Sequence, residues 1–145
     1  MKKSTIANSM FIDTAGWASL FISNEPYHLQ AAQYLQTARQ QQQTLLTSNY
    51  IITELVALLH SPLRRPRPQI FEIVDTIKAT PYVKIVHIDT ATDLAAWNLC
   101  KSRLDKTWSL VDCTSFILMQ QFNIRDVLTS DHHFEQAGFT RLLKL

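Results

Sequence analysis

"DVLTSDHHFEQAGF", residues 126–139, is a short apolar run that closes on Thr129, Ser130 and Asp131 and passes at once into His132, His133 and Glu135. The run has the length of a strand, and the segment after it reads as a short helix ended by Gly138. Two chemistries suit such a join. It is either a histidine-rich metal site or a strand-to-helix turn in which a single residue works. The choice depends on whether distant parts of the chain aim compatible groups at the same place.

Outward from this join, short apolar runs alternate with longer helical patterns. "SMFID" (9–13), "TLLTS" (44–48), "VKIVHI" (83–88), "DVLTS" (126–130) and "TRLLKL" (140–145) read as strands. Between them lie a short helix through Trp17 and Phe21, a helix opened by Pro26, and "NYIITELVALLH" (49–60). "PQIFEIVDTIKAT" (68–80), "TATDLAAWNLCKSRL" (90–104), "SLVDCTSFILMQQF" (109–122) and "HHFEQAG" (132–138) complete the set. Strands separated by helices imply right-handed crossovers. The expected fold is therefore α/β: a central, mostly parallel sheet of about five strands flanked by helices. Ligands bind such sheets beyond the carboxyl ends of the strands. Asp131 stands at one of those ends.

At 145 residues the chain suits one domain, residues 1–145 with a core from about 9 to 143. The proline-rich "SPLRRPRPQ" (61–69) is short enough to be a loop within it. Hydrophobic residues at 46% and charged ones at 18% fit a globular protein. No apolar run approaches the roughly 20 residues that span a bilayer. The start, "MKKSTIANSM", carries two lysines but no signal-peptide apolar region, so a cytoplasmic location is expected. Two glycines, Gly16 and Gly138, cannot build the glycine-rich loops of nucleotide sites. Cys100 and Cys113 lack C-x-x-C spacing and read as buried free thiols.

Four acids stand in unusual surroundings. Asp13 directly follows Met10, Phe11 and Ile12 at the end of the first strand, where it also suits the N-cap of the next helix. Glu54, at 100° per residue, lies within about 60° of Tyr50, Ile51, Ala57 and Leu58, away from the polar stripe of Asn49, Thr53 and His60. A carboxylate among apolar neighbours must be paired, protonated or bound to a cation. Asp112 opens a helix that is apolar nearly all round, three residues after Ser109, a spacing close to a capping box although such boxes prefer Glu. Asp131 ends the fourth strand as Asp13 ends the first. Two carboxylates about 4 Å apart repel by roughly 4 kcal/mol at an effective dielectric of 20. Four together need a positive partner, and oxygen donors without cysteine select Mg²⁺ or Mn²⁺.

The ordered set "FIDTAGW…TELVALL…WSLVDCTSF…LTSDHHFEQAGF" resembles the PIN-domain ribonucleases, especially the VapC-type toxins of bacterial toxin–antitoxin pairs. The likeness runs from about Ser9 to Leu143. It implies that Asp13, Glu54, Asp112 and Asp131 are the family's acidic quartet. Thr14 and Ser109 then match the small hydroxyl residues beside the first and third acids. It further implies Mg²⁺- or Mn²⁺-dependent hydrolysis of RNA, leaving a 5′-phosphate and a 3′-hydroxyl. Asp13 and Asp112 would be direct ligands, with Glu54 and Asp131 as further ligands or holders of the attacking water. A homodimer and a cognate antitoxin are the implied partners, with apolar docking around Trp17, Phe21 and Tyr34. By the same likeness His132 and His133 are not ligands, and His133-Phe134 belongs to helix packing.

RNA approaching an acidic pocket needs cations nearby. Arg64, Arg65 and Arg67 are one candidate set, and Lys101, Arg103 and Lys106 are another, with Asp105 read as a surface ion-pair partner. Trp17, Trp97 and Trp108 read as core or interface residues. Two other readings stand beside the toxin: a catalytically quiet PIN-like interaction module, and a metal-dependent nuclease outside toxin–antitoxin systems. A receiver domain would need a second acid after the first strand, and a haloacid-dehalogenase-type phosphatase would need Asp-x-Asp where residue 15 is alanine.

Overall fold

The computed structural model describes residues 8–145; the amino-terminal lysines and the signal-peptide reading lie outside the described residues. The elements run β1 (Ser9–Ile12), α1 (Thr14–Phe21), α2 (His28–Gln40), β2 (Thr44–Ser48), α3 (Asn49–His60) and α4 (Arg67–Ala79). Then follow β3 (Val83–Val86), α5 (Thr90–Ser102), α6 (Leu110–Gln121), β4 (Asp126–Leu128), α7 (His133–Gln136) and β5 (Thr140–Arg141). The strands form one sheet in the order β3-β2-β1-β4-β5, and every pairing is parallel. Chain order reverses between β1 and β4. That is the switch point at which α/β sheets open a crevice beyond their carboxyl ends.

Parallel strands covered on both faces carry continuous apolar runs. Phe11 and Ile12 of β1, Leu45 and Leu46 of β2, and Val127 and Leu128 of β4 are buried accordingly. Helix α3 adds Ile51, Leu55 and Leu59, and α6 adds Cys113, Phe116, Leu118 and Met119. The upper end of β1 is fastened across the sheet. Thr47 donates its hydroxyl to the Ile12 carbonyl at 2.9 Å and accepts from Trp17 Nε1 at 3.1 Å.

Gly16 decides how α1 meets β4. A Cβ there would stand 2.0 Å from the Leu128 carbonyl oxygen and 2.9 Å from Ile12 Cγ2. Only a residue without a side chain lets the first turn of α1 lie on the end of β4. This approach brings Asp13 beside Thr129.

Several boundaries differ from the sequence reading. The first strand stops at Ile12, because Asp13 is already the N-cap of α1. The third stops at Val86, opposite the last residue of β2, and the Ile88 N–H turns to the Asn49 side chain at 2.9 Å. The last strand holds two residues instead of six, Thr140 and Arg141, paired with Asp126 and Val127. Beyond it the Leu143 N–H still donates to the Thr129 carbonyl at 3.0 Å. Helix α2 begins at His28, two residues after Pro26, and α4 begins at Arg67, inside the stretch read as loop. Trp17 and Trp108 are buried, but Trp97 is 49% exposed on α5. Trp17 is thus core rather than a docking residue. Cys113 is buried and Cys100 half-buried, both as free thiols.

Candidate active site

Asp13 is 7% exposed and uses both carboxylate oxygens. Oδ1 accepts from the Gly16 N–H at 2.9 Å, capping α1, and Oδ2 accepts from the Thr129 hydroxyl at 2.7 Å. The capping and site readings of this residue are therefore not alternatives. Burial lifts its pKa from 3.8 to about 7, against the pull of the Thr129 and Gly16 hydrogen bonds; the like charges of Asp131 and Asp112 push it the same way as burial.

Glu54 lies one turn after Tyr50 on α3 and is half-buried, as its helical phase predicts. It accepts the hydroxyl of Thr14, the residue next to Asp13. Its pKa is raised by burial, lowered by that hydrogen bond, and raised again by Asp112 and Asp131. Asp13 and Glu54 are thus each pressed by Asp112 and Asp131.

Asp112 sits in the first turn of α6 within a complete capping box. Ser109 Oγ accepts from the Asp112 N–H at 3.0 Å, and Asp112 Oδ2 accepts from the Ser109 N–H at 3.1 Å. The preference of such boxes for Glu did not exclude Asp here. The same Oδ2 accepts from His133 Nδ1 at 2.9 Å.

Asp131 lies three residues past β4 rather than at its last residue. Its N–H donates to Thr129 Oγ1 at 3.0 Å, and its Oδ1 accepts from the His133 N–H at 2.9 Å. A continuous chain of contacts thus runs Glu54–Thr14, Asp13–Thr129–Asp131–His133–Asp112–Ser109, closed by the peptide bond between Asp13 and Thr14. Thr129 was not singled out from the sequence, and His133 was read as helix packing; the contacts of both with the acids were missed. Their partners lie 116 and 21 positions away, which no local pattern reveals.

The donor set suits a hard divalent ion. Among the described residues, Glu54 Oε2, Asp112 Oδ1 and Asp131 Oδ2 accept no hydrogen bond, and no Lys or Arg pairs with any of the four acids. Nearby, Asp131, His132 and His133 offer ligand atoms within 4.8 Å of one another. In that trio His133 Nδ1 is already spent on Asp112, and His132 is exposed with its Nδ1 3.8 Å from Asp131. Oxygen ligands from the acids match Mg²⁺ or Mn²⁺ better.

The PIN domain model matches residues 10–140 of this sequence. The chain belongs to the PIN-domain family. As a PIN domain it is 26% identical, over 133 residues, to the 23S rRNA-specific endonuclease VapC20 from two strains of Mycobacterium tuberculosis. That alignment covers 92% of this chain and 97% of the relative. The crystal structure of Mycobacterium tuberculosis VapC20, described as a sarcin-ricin loop cleaving toxin, superposes with a TM-score of 0.81 at 24% identity. The match spans 91% of this PIN domain and 97% of that chain, a likeness of fold. Among the described residues no helix is long and apolar enough to cross a membrane.

Proposed function

We propose that this PIN domain is a divalent-metal-dependent endoribonuclease, the toxin of a VapBC-type pair, with Asp13, Glu54, Asp112 and Asp131 as its catalytic and metal-binding acids. One observation carries the reading. Four carboxylates share one electrostatic neighbourhood at the switch point of the sheet, and no Lys or Arg among the described residues neutralises them. An interaction module gains nothing from carboxyls held at such a cost.

A bound Mg²⁺ or Mn²⁺ would supply Lewis acidity at the scissile phosphate and lower the pKa of the attacking water. The protein's own part is to hold oxygens. Thr14 and Thr129 donate to Glu54 and Asp13, and the cap of α6 aims Asp112. Asp13 and Asp112 are the direct ligands in this reading; Glu54 and Asp131 complete the set or take the proton of the water in line with the 3′-oxygen leaving group. Hydrolysis then gives a 5′-phosphate and a 3′-hydroxyl.

Of the basic candidates, Arg103 is committed to Asp105 by two 3.0 Å bonds, and Lys106 lies 3.7 Å from the same acid. Lys101 and Arg64 are exposed and better placed to meet a phosphate backbone. The relatives' names point to ribosomal RNA as substrate, with the cytoplasm as the proposed place of action. A cognate antitoxin and a homodimer complete the proposal. Incubating the purified protein with an RNA carrying the sarcin-ricin loop, in Mg²⁺ or in EDTA, tests it. Cleavage in Mg²⁺ that EDTA stops and Asp13→Asn lacks supports the proposal; equal cleavage in EDTA, or none in either, rejects it.

A further inference from the structure

Helix α7 is only four residues long, yet it is held firmly against α6. Phe134 is buried with its ring edge-on to Phe116 of α6, centroids 5.0 Å apart. Gln136 accepts from Trp108 Nε1 at 2.9 Å, just ahead of α6. These two anchors set the register of α7 and leave the His133 ring beside the first turn of α6, 18% exposed.

The ring then makes a specific set of contacts. A carboxylate only accepts, so the Nδ1 that lies 2.9 Å from Asp112 Oδ2 carries the proton. Nε2 faces the Thr107 hydroxyl at 3.3 Å, which holds the ring in that orientation. The backbone N–H of the same residue donates to Asp131 Oδ1 at 2.9 Å. One residue therefore grips one oxygen of the third acid and one of the fourth. In both cases the other oxygen is left without a hydrogen-bond partner among the described residues.

We propose that His133 is a positioning residue of the nuclease: its Nδ1–H locks the Asp112 carboxylate so that Oδ1 faces the metal position, while its backbone fixes Asp131. This rests on the metal-dependent reading above. It assigns the second histidine of the opening motif a duty the family likeness did not give it. Groups that hold ligands in this way typically contribute 10–100-fold to metal affinity or activity.

The chemistry distinguishes Nδ1 from Nε2, and so do side-chain replacements. Asn places an amide N–H near the position of Nδ1, whereas Gln places one near Nε2. Mn²⁺ binding to the full chain is measured by electron paramagnetic resonance, together with kcat and KM for RNA cleavage and a thermal unfolding curve. His133→Ala and His133→Gln are expected to weaken Mn²⁺ binding by about 10-fold or more and to lower kcat with KM for RNA little changed. His133→Asn is expected to stay within a few-fold of the unsubstituted protein on both readouts, which a merely structural histidine would not require. Unchanged Mn²⁺ affinity in His133→Ala, or equal behaviour of the Asn and Gln variants, overturns the proposal. If instead the unsubstituted protein neither binds Mn²⁺ nor cuts RNA, the nuclease reading itself falls and takes this assignment with it.

Discussion

Replacing Asp13 by Asn removes a buried carboxyl whose proton the fold holds up to about pH 7 instead of 3.8. Below pH 3.8 both folded and unfolded chains carry that proton, and the group adds nothing to the pH dependence. Between 3.8 and about 7 the unfolded chain releases it while the folded chain keeps it, so folded stability falls as pH rises. At 1.36 kcal/mol per pH unit, a gap from 3.8 to about 7 amounts to about 4 kcal/mol, fully expressed above pH 7. Urea unfolding in EDTA at pH 4, 5.5 and 7.5 measures it. The stability of Asp13→Asn minus that of the unsubstituted protein is expected to climb by about 4 kcal/mol across this range. Any fixed difference in packing or capping cancels from that trend. Adding Mg²⁺ at pH 7.5 should then stabilise the unsubstituted protein by mass action and leave the variant nearly unmoved. A difference that stays flat with pH would refute the claim that the carboxylate is held at a cost for a cation's sake.

Asp112→Asn should fold and lose more activity than the roughly 10–100-fold that a supporting hydrogen bond contributes, as RNA-cleavage rates will tell. Thr129→Val keeps the shape but deletes the donor to Asp13, at about 1–3 kcal/mol of stability. Because that hydrogen bond lowers the Asp13 pKa, its loss should move the acid limb of the pH–rate profile to higher pH. Gly16→Ala should destabilise by about 3 kcal/mol or more in urea titration, since the new methyl collides with the Leu128 carbonyl, and should impair cleavage as well.

The sheet was legible because alternation of strand and helix follows from burying apolar runs, and Glu54 was legible because a helix gives every residue a phase. Asp13 and Asp112 were visible only as a choice between capping and site; each does cap its helix, and does so through a carboxylate that stands in the acidic cluster. The third strand was read too long because its partner ran out, Val86 standing opposite Ser48 at the end of β2. The contacts of Thr129 and His133 with the acids were invisible for a different reason. Nothing in "LTSDHHF" distinguishes a threonine aimed at Asp13 from one facing its own backbone. That information resides in the approach of α1 to β4, which Gly16 permits.

Diffraction from a crystal grown with Mn²⁺, recorded for the anomalous signal of the ion, tests the central claim most directly. The account predicts a peak at the ends of β1 and β4, with oxygens of Asp13 and Asp112 in its coordination sphere and those of Glu54 and Asp131 in the same sphere or one water away. A peak coordinated instead by His132 and His133, or none among the four acids, would contradict it.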